Sequence, residues 1–237
     1  MLVSVEHLRG YALLAADGEI GRAESLLFDD ESWLVRYLLV DTGGWLTGRR
    51  VLIAPVALRT PDHAARRLPV ELTRKQVEES PDMDLRQPVS RQEEMELFRH
   101  YAWVPYWPGS ELGDIAPIFP AEESEGETDP HLRNTREVEG YRIAATDGLL
   151  GHVEDFILQE ERWAIRYLVV DVGRWLAGRR VLLAPSWVEN IDWGAREVVV
   201  NLSRDEVRGS PEYDPSKPLT REYEEGLHRH YDRPRYW

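Results

Sequence analysis

The chain contains no cysteine. That excludes disulfides, thiolate metal sites and cysteine nucleophiles, and it leaves the redox compartment open. Long apolar runs are missing too. The longest span only a few residues, far short of the ~20 that a membrane-crossing helix needs. The start, "MLVSVEHLRG", has no basic stretch leading into an apolar one, so no signal peptide is expected. Positive charge is in deficit. A net charge of −14 repels nucleic acid and anionic lipid, so proteins or small molecules are the expected partners. No G-x-G-x-x-G, P-loop, G-x-S-x-G or H-E-x-x-H pattern occurs, which leaves nucleotide binding, hydrolase chemistry and helix-borne zinc without support. The expectation is a soluble, cytoplasmic, non-enzymatic protein with no catalytic, metal-binding or cofactor-binding residues and no cofactor.

What is present is ordinary for a folded protein. The 237 residues are 42% hydrophobic and 30% charged, with nine tryptophans. That length accommodates one large domain or two of about 100 residues, each able to bury a core.

The dominant feature is a repeat. "RYLLVDTGGWLTGRRVLIAP" begins at Arg36, and "RYLVVDVGRWLAGRRVLLAP" begins at Arg166. An offset of 130 aligns residues 1–107 with 131–237 without a gap, and roughly 40% of the pairs are identical. Asp17-Gly18 meets Asp147-Gly148, Gly21 meets Gly151, and Pro55 meets Pro185. Near the ends, His100-Tyr101 meets His230-Tyr231. A period this long is domain-sized, so the chain reads as a tandem duplication. Residues 108–130, rich in acid, Pro and Gly, read as a linker.

Within a copy, "GYALLAADGEIGRAESLLFDD" holds two β-type runs around an Asp-Gly turn. "WLVRYLLVD" is the most strand-like segment, and "RRVLIAP" is a further strand closed by Pro55. "VALRT" and "LPVEL" flank a last hairpin. Short strands with turns every few residues indicate a small barrel or sandwich. Helices follow. Thr73…Gln76, Ser203…Glu206 and Ser90…Glu93 are capping boxes, while at Thr220 the box is lost because Tyr223 replaces the acid. The predicted fold is mainly β with short helices: two tandem small β-barrels, each followed by two short α-helices, related by approximate two-fold symmetry.

The stretch "DGEIGRAESLLFDDESWLVRYLLVDTGGWLTGRRVLIAP" resembles the PRC-barrel domain. That family's pattern is a D-G-x-x-G turn, a "V-R-Y-L-V-V-D" strand, a "G-G-[FW]-L" turn and a "V-L-[IL]-[AP]-P" strand. The second copy fits as well, with Arg174 in place of the second turn glycine. The match covers about residues 8–60 and 138–190. The tails resemble those of uncharacterised bacterial proteins with tandem PRC-barrels. The family includes the cytoplasmic part of the photosynthetic reaction-centre H subunit and the C-terminal domain of the ribosome maturation factor RimM. The resemblance therefore implies a docking module. It also implies two alternatives: a regulator of electron or proton transfer at a membrane redox complex, and a ribosome-associated factor.

Candidate partner-binding residues come from the repeated turn and tail. Trp45 with Arg49 and Arg50, and Trp175 with Arg179 and Arg180, combine residue types enriched at interface hot spots. Alternatively, each Trp covers a barrel end and each Arg pair neutralises local acid. The aromatic tails, Tyr106-Trp107 and Tyr236-Trp237, pack on their own barrel, on the other copy or on a second molecule. The acids Glu24, Asp41, Glu154 and Asp171 lack a matching His and read as structural, as do Arg36 and Arg166, each paired with a strand or turn acid. His100, His228 and His230 read as solvated helix ends. Repeat–repeat packing or a homo-oligomer is the expected assembly.

Overall fold

The computed structural model describes residues 1–83, 89–104, 131–173 and 178–237. The expected linker at 108–130, and Tyr106, Trp107 and Trp175, lie outside them. The described residues are mainly β with a few short helices, arranged in two sheets.

The first half contains β1 (Leu2–Ser4), α1 (Val5–Leu8), β2 (Ala12–Ala15), β3 (Gly18–Asp29), β4 (Val35–Asp41), β5 (Arg50–Ile53) and β6 (Arg67–Pro69), then α2 (Arg74–Glu78) and α3 (Arg91–Tyr101). The second half contains β7 (Leu132–Asn134), α4 (Thr135–Val138), β8 (Arg142–Ala145), β9 (Gly148–Gln159), β10 (Ala164–Asp171), β11 (Arg180–Leu183), β12 (Val188–Asp192) and β13 (Glu197–Val200), then α5 (Arg204–Arg208) and α6 (Arg221–His230). Element follows element at the offset of 130. The strand β12 has its counterpart in two isolated bridges, Leu58 with Val70 and Asp62 with Arg67.

The closed barrels expected from the sequence are not what the pairing gives. Among the described residues each sheet is an open path: β11-β10-β9-β8-β13-β12, and β5-β4-β3-β2-β6. Closure would pair β11 with β12. Instead the Tyr213 N–H donates to the Arg180 carbonyl on β11 at 2.9 Å, occupying part of that edge. A second departure is direction. Parallel pairs join β2 to β6 and β8 to β13, where hairpin reading supplies only antiparallel ladders.

Compactness divides the chain differently from the sequence copies. One unit comprises Met1–Arg9, Ser25–Val35 and Arg133–Trp237. The other comprises Gly10–Glu24 and Arg36–Leu132.

In the first unit, β9 is long enough to serve several partners. It pairs with β8 at one end and with β10 along most of its length. Where β8 has ended, β1 takes the vacant edge, with Leu2 opposite Gln159 and Ser4 opposite Ile157. The run Phe156–Leu158 is buried on both faces, as an apolar stretch without alternation requires. Trp187, on a 3-10 turn, is 1% exposed and lies 4.7 Å from the Tyr231 ring. The second unit is centred on Tyr11, Leu13, Ile20, Leu38, Leu52 and Leu68, all buried.

The helices start where their sequences say. Thr73, Ser90 and Ser203 each accept from the backbone N–H three residues on, and the Gln or Glu there accepts from the cap's own N–H. Thr220 makes only the first half of this exchange, with Tyr223 N at 3.3 Å. The pairs α1 and α4 have no counterpart in the sequence-based expectation, because four-residue helices show no periodicity.

Candidate functional site

Trp45 sits on a 3-10 turn, Gly43–Leu46, and is half-buried. The Arg74 guanidinium lies 4.5 Å over its ring. That arginine is itself fixed, since its backbone N–H donates to Asp17 Oδ1 at 2.7 Å. The turn is closed by Asp41, whose Oδ1 accepts from Gly43 N at 2.8 Å. Asp171 does the same for Gly173 at 2.6 Å. These two acids are turn-formers.

The arginine pairs separate into two roles. Arg49 reaches the end of α2: it donates to Glu78 O at 3.1 Å, to Pro81 O at 2.6 Å and to the Ser80 carbonyl. Arg179 repeats this at α5, donating to Arg208 O at 2.8 Å and to the Ser210 carbonyl. Each satisfies carbonyls that the helix end leaves without intrahelical partners. Arg50 and Arg180 face solvent more. Arg50 donates to Glu24 at 2.7 Å, and Arg180 grips Glu154 with two bonds, at 2.6 and 2.7 Å. The hydrogen bond to Glu154 holds the Arg180 guanidinium above its usual range. Glu24 and Glu154 are thus structural partners of the turn.

Beside Arg180 a cavity of about 330 Å³ opens, lined by Glu212, Tyr213, Asp214 and Lys217 among others. Its cations are matched internally: Lys217 is 2.9 Å from Asp214, and Arg180 is held by Glu154. Burial pushes the Tyr213 hydroxyl up to about 12, while the Ser216 hydroxyl helps hold Asp214 down at about 2.

The described C-terminal tail packs on α6. The Tyr236 hydroxyl donates to Glu224 Oε1 at 2.7 Å, and its ring lies under the Arg166 guanidinium at 4.3 Å. Trp237 lies under Arg221 at 4.1 Å and is 43% exposed. Arg166 was expected to meet an acid. Its Nε instead donates to Gln159 Oε1 on the neighbouring strand at 2.8 Å, and the acid within its field is Glu224 on α6.

Beneath the tail lies a buried polar cluster that sequence reasoning missed. Glu224 and His228 are each 2% exposed. Glu224 accepts from Tyr167 at 3.0 Å and pairs with Arg221 at 3.0 Å. His228 has Nδ1 2.9 Å from the Pro234 carbonyl and Nε2 3.1 Å from the Tyr167 hydroxyl. Burial holds His228 below its usual range and raises Tyr167. Reading His228 as a solvated helix end was therefore wrong. On α6 and its C-cap, Glu224, Leu227, His228 and Tyr231 recur at helical spacing and are buried. His230 does lie outside, against Glu206 O at 2.7 Å, and His100 repeats that contact with Gln76 O. The first half keeps Tyr37 donating to Glu94 at 2.7 Å, with Glu94 fully buried, but Phe98 stands where His228 does. The repeated Tyr–Glu pair was the available signal. Chemically the cluster clasps the tail, since every member is spent on a neighbour.

Among the described residues, no group of three or more His, Asp or Glu is placed to hold a metal ion. No helix there is long and apolar enough to cross a membrane.

The family comparison agrees with the second-half geometry. The model of the PRC-barrel domain matches residues 132–207, so a PRC-barrel domain is found there. No curated protein matches the chain.

Proposed function

We propose that the chain is a non-enzymatic protein-interaction adaptor built from two PRC-barrel copies, residues 1–107 and 131–237, related by approximate two-fold symmetry. The domain match at 132–207 and the recurrence of elements at an offset of 130 support reading residues 1–107 as another copy of that domain. Two similar surfaces in one chain favour a bivalent or symmetric target, which gains avidity without new contacts.

One observation carries the docking role. Trp45 is half-exposed yet already stacked at 4.5 Å by Arg74, on a turn pinned by Arg49. An aromatic anchor ordered before binding loses little further freedom on docking. The net charge of −14 favours a partner with a basic face. The test is affinity capture with mass spectrometry, comparing the natural chain with Trp45→Ala/Trp175→Ala. A hot-spot tryptophan contributes about 2 kcal/mol, so the captured partner should bind about 30-fold more weakly to the variant. Full recovery of every partner by the variant contradicts the reading.

A further inference from the structure

Two contacts inside the first compact unit join a residue to its own counterpart, 130 positions on. Leu34 and Ala164 form an antiparallel bridge. Arg9 is ion-paired with Glu139. Contacts of this kind define an isologous interface, in which residue i meets j and j meets i. The backbone shows the same reciprocity: Val35 N donates to Trp163 O at 2.7 Å, and Ile165 N donates to Trp33 O at 2.9 Å. Trp33 and Trp163 both hold left-handed backbone, with φ of 58° and 48°. The two turns that lead into this contact therefore share one backbone conformation.

At such a position, identical halves necessarily place like against like. An aliphatic side chain or a stretch of backbone accepts that. A charge does not. Arg9 and Glu139 are only 18% and 22% exposed, so Arg against Arg or Glu against Glu would repel with little screening. Of these two self-paired positions, this is the one where the copies carry opposite charges.

We infer that Arg9–Glu139 is the specificity determinant of this interface, directing each half to pair with the unlike half rather than with a second copy of itself. The repulsive alternatives do the selecting as much as the attraction does. The partner this surface fits is thus the other half of the repeat, and the surface is occupied within the chain. The inference rests on reading the halves as copies, and not on the adaptor role.

The test uses full-length variants and amide hydrogen exchange at Val3 of β1, whose N–H faces Leu158 on β9. Glu139→Arg places Arg opposite Arg and should lower protection about tenfold or more, as loss of one partly buried pair plus new repulsion implies. Glu139→Gln removes the attraction alone and should fall between Glu139→Arg and the natural chain. Arg9→Glu should be worst, because Glu6 and Asp155 also face Arg9. Arg9→Glu/Glu139→Arg restores opposite charge and should recover about threefold over Arg9→Glu, and high salt should shrink all the differences. A folded Glu139→Gln beside an unfolded Glu139→Arg also supports the inference. It is overturned if the double variant is no better protected than Arg9→Glu, or if Glu139→Gln is as unprotected as Glu139→Arg. The partner-capture experiment leaves both residues unchanged, so either reading can fail alone.

Discussion

Alanine at Gly151 is expected to destabilise the chain by about 3 kcal/mol or more, at the upper end of overpacking effects. A Cβ there would lie 2.0 Å from the Asp171 carbonyl oxygen and 2.8 Å from the Val172 Cα. Neither atom belongs to a side chain that can swing away. Asp171 is held from its other side by β11, opposite Arg180, so β10 cannot retreat without breaking a second ladder. Gly21 meets the same obstacle at 2.3 Å from Asp41 O. The second glycine of each D-G-x-x-G turn is therefore a close-approach residue. Gly43→Ala separates this from simple backbone strain: φ is +57° but no atom lies within 4 Å, so the loss should be about 1 kcal/mol. Urea midpoints check both variants. A Gly151→Ala chain as stable as Gly43→Ala would show that the strands slide apart freely.

Asp155→Asn is expected to gain stability over the natural chain as pH rises. Asp155 is 9% exposed, and burial pushes its carboxyl up to about 6 from the usual 3.8. Its neighbours only partly offset this. The Ser4 hydroxyl and the Glu6 N–H, at 3.0 Å, donate to it, and Arg9 adds favourable charge. Tyr213 also lies within its field. A folded-state pKa above the unfolded one means that the group's contribution is full below about pH 3.8 and is lost as pH rises through about 6. The loss amounts to about 3 kcal/mol, from 1.36 kcal/mol per unit. An asparagine keeps an acceptor for Glu6 N–H and carries no charge. The stability difference between variant and natural chain should widen by about 2 to 3 kcal/mol between pH 4 and pH 7.5. Unfolding curves at both pH values measure it, and a difference that does not change with pH contradicts a buried charge.

Much of this architecture was legible because local chemistry wrote it. Three capping boxes formed where a hydroxyl and an acid or amide stand three apart, and the box lost at Tyr223 is lost in the structure. The Asp-Gly turns at 17–18 and 147–148 connect strands as glycine's conformational freedom suggests. What was not legible depends on distance along the chain. Nothing in "RLP" announces a parallel ladder with "ALLA", 55 residues earlier. The assignment of Met1–Arg9 to one unit with Arg133–Trp237 likewise follows from edge vacancy on β9, and that of Ser25–Val35 from backbone bonds with Trp163 and Ile165, which only three dimensions reveal. At the candidate site, the sequence marked Trp45 and the arginines as a repeated feature. It did not tell Arg49, which closes a helix end, from Arg50, which faces outward. His228 was misread because its neighbour two positions on, His230, is exposed, and a tail cannot be seen to fold back over α6 from sequence.

The most direct measurement exploits the missing cysteines. Leu34→Cys with Ala164→Cys places two thiols, the only ones in the chain, on a non-hydrogen-bonded antiparallel pair. Such pairs sit about 4.5 Å apart at Cα, within the range a disulfide spans. Mild oxidation should give a monomer of 27.5 kDa carrying one internal disulfide, with a mobility shift that reductant reverses. Free thiols that persist under oxidation, or disulfide-linked dimers in place of the monomer, would contradict the meeting of equivalent positions within one chain.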